Sequence, residues 1–184
     1  VETLRVNTSL VRRKLRTPEL HLVETTVGRR SGTRVAVMHV EGVAKDGLAE
    51  EVLRRLDAID IDGLLTAGDL EEYIVDSPRS PFPQLLHTER PDAFAIHLLD
   101  GRVGVLVDGL PLGYLLPVNT GSLMCSAEDR GMDYLSASLV RLLRWAALLL
   151  ALLLPGLYIA MAAFQPEMLP TPLLRAVIES KENV

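Results

Sequence analysis

Twenty consecutive residues without a charge, Trp145 to Phe164, constrain this chain more than any other stretch. As a helix rising ~1.5 Å per residue, such a run crosses the roughly 30 Å hydrocarbon core of a bilayer. Its seven leucines, with Ile159 and Phe164, contribute about −3 to −5 kcal/mol on an insertion scale, partly offset by Pro155 and Gly156. A buried helix of a globular core is usually shorter and amphipathic, so residues 145–164 read as a transmembrane helix. Pro155 removes the hydrogen bond to the Ala151 carbonyl and permits a kink near mid-membrane. Arg130, Arg141 and Arg144 before the run outweigh Arg175 and Lys181 after it, a slight bias toward a cytoplasmic N-terminal domain.

The residues before that run suffice for one soluble domain with its own core. A net charge of −5, with the 19 basic residues forming only one short cluster, argues against nucleic acid as a partner, because phosphate binding needs a basic face. Cys125 stands alone, which leaves no disulfide framework and no cysteine metal site. The chain runs from Val1 to Val184 without an element that finishes it at either end, and it reads as a piece of a longer protein.

Residues 1–18 read as a helix closing a preceding, missing subdomain: Leu4, Leu10, Val11 and Leu15 recur among Arg12, Arg13, Lys14 and Arg16, and Pro18 ends the pattern. The basic cluster is a solvated face or a contact with an anionic inner leaflet. Glu19–Val27 and Arg34–Val40 alternate as strands around Gly28-Arg29-Arg30-Ser31-Gly32. That loop is no phosphate loop, because it leads into a strand and lacks the closing Gly-Lys-Ser/Thr.

Asp46 is placed to cap a helix from Gly47 to about Ile59; a strand over Ile61–Leu65 and a helix over Ala67–Asp76 follow. Asp57, Asp60, Asp62 and Gly63 form a fragment of a calcium-loop pattern without its alternation or closing Glu, so no metal is expected. Ser77 to Pro83, punctuated by Pro78, Pro81 and Pro83, is an irregular connection, and Gln84–His87 a helical turn. Pro91 starts a helix from about Arg90 to Leu99. Arg102–Val107 and Leu110–Val118 flank Asp108-Gly109 as a two-residue hairpin. With crossovers of parallel type beside that hairpin, residues 19–123 read as an α/β subdomain on a mixed sheet.

Ser126 and Asp129 form a capping-box pattern that opens an amphipathic helix over 124–144, lying on the membrane surface and anchored by Arg141, Arg144 and Trp145. Residues 165–184 make an amphipathic segment led by Thr171 and Pro172, too short and charged to span. His21, His39, His87 and His97 show no ligand spacing. No nucleophile elbow, zinc spacing or acid/base pair appears, so no catalytic residue and no cofactor is assigned.

One set of stretches resembles a known family in order along most of the chain: Val27-Gly28-Arg29-Arg30, Ile59 to Gly63, Ser80-Pro81-Phe82-Pro83-Gln84, Thr88-Glu89-Arg90-Pro91-Asp92, Leu106-Val107-Asp108-Gly109, Arg141 to Arg144, and Leu154-Pro155-Gly156. They are similar to the A subunits of GerA-type spore germinant receptors of endospore-forming bacteria. The resemblance implies a non-enzymatic subunit in the spore inner membrane, its N-terminal domain cytoplasmic. It further implies a complex with an integral membrane B subunit and a lipoprotein C subunit, oligomerisation of A subunits, and nutrient-triggered germination through ion release. Gly104 stands where the family pattern leads one to expect alanine. The competing readings are a membrane-tethered α/β enzyme and a small-molecule-binding domain.

Overall fold

In the computed structural model, which describes residues 3–64, 66–80 and 82–164, the chain divides into a unit ending at Thr120 and a second beginning at Gly121. Within the first, α1 (Leu4–Lys14) precedes β1 (Leu20–Val27) and β2 (Thr33–Val40), then α2 (Leu48–Asp57) and α3 (Ala67–Ile74). β3 (Leu86–Thr88), α4 (Pro91–Leu99), β4 (Val103–Val107) and β5 (Gly113–Leu116) complete it. The sheet order is β1-β2-β4-β5-β3.

Two apolar clusters cover the two faces of this sheet. Val35, Val37, Val103, Val105 and Val107 meet Val52 and Leu56 of α2 and Leu70 and Ile74 of α3. On the opposite face Ala36, Met38, Leu106 and Leu115 meet Leu4 and Val11 of α1 and Phe94 and Leu98 of α4. Every residue of β4 is buried, as expected of a strand covered on both sides, where alternation gives way to a continuous apolar run.

The α/β class matches the sequence reading, but every hydrogen-bonded strand pair is antiparallel rather than mixed. The reason is topological. β3 and β4 run in the same direction across the α4 crossover, yet β5 inserts between them and pairs antiparallel with both. The strand expected from Ile61 is absent over 61–64; the Ile61 and Asp62 carbonyls instead accept the Arg29, Arg30 and Ser31 amides. The 84–87 turn becomes part of edge strand β3, and Gly47, at φ 76°, takes the cap position of α2 without help from the Asp46 side chain.

The helix read as closing a preceding subdomain packs on this sheet, with Leu4, Val11 and, just past its end, Leu15 buried in the second cluster. The Asp108-Gly109 hairpin also differs. Pairing stops at Leu106 opposite Gly113, leaving a six-residue loop, and only Gly109 has positive φ (86°). A two-residue turn of the predicted type needs positive φ at both central positions.

From the boundary onward, α5 (Thr120–Leu123) leads to a 3₁₀ turn, Ala127–Gly131, and α6 (Tyr134–Phe164). Ser126 and Asp129 do form a capping box, but it opens the short turn. No Gly or Pro lies between Met132 and Leu154, so nothing separates a surface helix from the apolar run, and α6 continues through Arg144 and Pro155. Its 31 residues extend about 46 Å. Residues 134–161 are long and apolar enough to cross a membrane, and none of the qualifying apolar window is buried. The expected 165–184 amphipathic segment lies outside the described residues.

Candidate functional site

The residues singled out in the sequence fall into four local assemblies. The first is a bracket at one end of the β1–β2 hairpin. Gly28 adopts φ 95°, and a Cβ there would meet Ser31 Oγ, the Gly63 Cα at 3.1 Å and the Asp62 carbonyl at 3.3 Å. Arg29 and Arg30 donate their backbone amides to the Ile61 and Asp62 carbonyls, both at 2.8 Å. Their side chains pair with Asp60 at 2.5 Å and Asp62 at 3.7 Å. The aspartates that suggest a calcium-loop fragment are therefore partners of the two arginines. Gly28→Ala combines a left-handed backbone with contacts to the Ser31 hydroxyl and the 62–63 backbone, and we expect it to destabilise the bracket by about 1–3 kcal/mol. Faster hydrogen exchange at Arg29 and Arg30 would register the loss; unchanged protection would contradict it.

The second assembly is the proline segment. Gln84 Oε1 accepts the amides of Asp76 (3.0 Å) and Ser77 (3.2 Å), while its Nε2 donates to the Ser77 carbonyl (2.7 Å). One side chain thus closes both ends of the loop after α3. Arg55 joins it from α2, donating to the Ile74 carbonyl and to Asp76. Pro83 is exposed and Phe82 is 73% exposed beside a groove of about 770 Å³, which Glu71, Glu72 and Arg79 also line. Pro81 lies outside the described residues.

The third is the start of α4. Arg90 is the N-cap, its amide donating to Thr88 Oγ1 (3.2 Å), and Pro91 occupies the first turn. Arg90 also binds Asp92 at 2.8 Å, which with the Ala93 amide holds that carboxyl down at about 2. Glu89, Arg90 and Pro91 line a small cleft of about 190 Å³ with Leu10 and Val11 of α1 and Phe94 of α4. Asp108, at the other end of α1, accepts the Leu4 amide through Oδ1 (2.8 Å) and the Arg34 guanidinium through Oδ2 (2.9 Å). Both hold its carboxyl below the usual aspartate range, the Leu4 amide most. The turn residue Asp108 is also the tether of α1, a role with no local signature because its partners lie 104 and 74 positions away.

The fourth is in the second unit. Asp129, with its side chain 1% exposed, accepts two hydrogen bonds from Arg144 (2.5 and 2.9 Å) and one from the Ser126 amide (2.9 Å). Arg141 stands 3.9 Å away, and Arg144 also donates to the Met124 carbonyl (2.8 Å). Arg141 and Arg144, chosen as boundary anchors, thus converge on one carboxylate. Pro155 lies inside α6.

The histidines lie apart from these assemblies. His21 and His39 stack with centroids 5.4 Å apart, His21 lies 2.7 Å from Glu41, and burial, with His21 beside it, pushes the His39 pKa down. Among the described residues no group of three or more His, Cys, Asp or Glu is placed to hold a metal ion.

The family model for Bacillus/Clostridium GerA spore germination protein matches residues 1–184. The chain is 40% identical over its full length to spore germination protein B1 of Bacillus subtilis, covering 38% of that protein. It is 39% identical to spore germination protein A1 of Bacillus subtilis and to GerQA of Bacillus cereus, covering 38% and 37% of each. The chain therefore spans less than two fifths of the length of these relatives. Among solved structures, the N-terminal domain of the A subunit of the Bacillus megaterium spore germinant receptor GerK3 matches with TM-score 0.52 and 40% identity. That match covers 65% of this chain and 94% of that one.

Proposed function

The chain belongs to the GerA family of spore germination proteins, and on that premise we propose that it is part of a membrane subunit of a nutrient germinant receptor complex. In this reading the complex triggers germination through ion release across the spore inner membrane, with an integral membrane B subunit and a lipoprotein C subunit as partners and A subunits associating with one another. The observation that carries the reading is the joining, in one polypeptide of this family, of a folded sheet unit to a 31-residue apolar helix with an exposed surface.

The bias of arginines to the N-terminal flank of the span supports a cytoplasmic sheet unit. The four assemblies are built from structural pairings, which fits a module that shapes and transmits, and no catalytic role is proposed. Pro155 within the helix supports a kink or conduit in the membrane.

The test is genetic. Spores in which the region encoding this chain is removed from the full-length gene are expected to lose their response to at least one nutrient, with complex levels reduced. In a strain also stripped of paralogous receptors, an unchanged response to every nutrient would sink the proposal. Arg90→Ala probes the α4 corner: we expect lowered complex levels and a weakened response, measured by immunoblot and by optical density during germination.

A further inference from the structure

The pairing of charges in the first unit is uneven. Arg29, Arg30, Arg34, Arg54, Arg55 and Arg90 all have carboxylate partners. Arg5, Arg12, Arg13, Lys14 and Arg16 have none among the described residues, and all five are exposed. Residues 1–18 hold five bases against one acid, whereas residues 19–120 hold nine bases against 17 acids. This unit therefore has a positive pole on α1 and an acidic remainder.

Helix polarity accounts for bases in the last turn of α1. It does not account for Arg5 one face-length earlier, nor for Arg16 beyond the helix end. Positions 5, 12 and 13 share one side of the helix, since i, i+7 and i+8 fall together at 3.6 residues per turn. The adjoining flank is fixed: Leu4 and Val11, with Leu15 just past the helix, are buried and the Leu4 amide is bound by Asp108. The basic side is thus held outward without further ordering, which lowers the cost of binding.

We infer that the exposed basic face of α1 docks on the anionic headgroups of the bilayer that α6 enters. The inference rests on the reading of α6 as a membrane span. Seventeen residues separate Leu116 from Tyr134, a connection that reaches about 60 Å at full extension, so the unit stays within range of the surface. Electrostatics selects the pole: an anionic leaflet attracts basic residues at about 1 kcal/mol each, near fivefold in population, and repels the acidic remainder. An acidic protein surface is the rival occupant; the connection through residues 117–133 keeps the bilayer within reach of the basic pole.

The experiment places the full chain in nanodiscs, with Ser9→Cys in a Cys125→Ser background carrying a fluorophore; Ser9 is exposed on α1. Lipids bearing a quencher at the headgroup report contact. Quenching is expected in phosphatidylcholine mixed with phosphatidylglycerol, not in phosphatidylcholine alone, and should fade as salt rises to about 1 M, where screening shortens to about 3 Å. The triple variant R12E/R13E/R16E should lower the docked-to-free ratio at least about a hundredfold, and R12K/R13K/R16K should keep it. Equal quenching in both discs, or quenching that survives charge reversal, overturns the inference, as does a label quenched only after an acidic protein is added. Failure of the chain to enter either disc would sink the span reading and this inference together; entry without quenching sinks only the inference.

Discussion

Phe94→Ala is expected to cost the sheet unit about 3–5 kcal/mol, the usual penalty for emptying a fully buried aromatic site. The Phe94 ring lies over two glycines on adjacent strands. A Cβ at Gly104 of β4 would run into the ring, and one at Gly113 of β5 would come within 2.6 Å of it. Two side chains are therefore absent beneath one large one, and the ring fills volume that no neighbour can reclaim. Alanine at 94 leaves a cavity against bare backbone, and exchange of the β4 amides should accelerate by two to three orders of magnitude or more. Unchanged exchange would show that α4 relaxes onto the sheet.

The converse substitution follows from the same geometry. Gly104→Ala overpacks against a 2%-exposed phenyl ring, and we expect a loss of about 1–3 kcal/mol. Combined with Phe94→Leu, it should cost less than the sum of the single changes, because the smaller side chain makes room for the new methyl. The sequence alone could show only that glycine stands where alanine was expected. That it is the floor of an aromatic site depends on α4 crossing the sheet there.

Legibility in the sequence tracked how local each cause was. β1 and β2 are readable because their residues alternate and are β-branched, and α4 because Pro91 fixes its first turn. The apolar run is readable because its length and lack of charge need no partner to interpret. β3 was missed because three residues carry no periodicity; its partners are in β5, some 25 to 29 residues on. Asp108 does lie in the turn that Asp-Gly signals, but the second role of its carboxylate, serving Leu4 and Arg34, is not legible locally. The pairing of Arg29 and Arg30 with Asp60 and Asp62 brings two loops together, and only the folded hairpin does that.

Asp129→Asn should release the 126–131 turn from α6 altogether, the largest effect expected in the second unit. Asp129 receives the Ser126 amide and both terminal nitrogens of Arg144. An amide side chain cannot accept this set with equal strength, and it leaves the guanidinium without its counter-charge. Protection of amides 126–131 should fall to that of an unstructured segment, while α6 beyond Arg144 keeps its own. Arg144→Gln should give the same loss, and the double variant should be no worse than either single, since both remove one interaction. The Arg144 hydrogen bonds, first among the causes, and the Ser126 amide hold the Asp129 carboxyl at about 2, against about 3.9 for an aspartate in an unfolded chain. A depressed value means the clamp contributes fully above about pH 4 and is lost as pH falls toward about 2. Exchange of the 126–131 amides, corrected for its intrinsic pH dependence, should therefore stay flat from neutral pH to about pH 4 and rise only below it. A rise already near pH 6 would assign the protection to a different group.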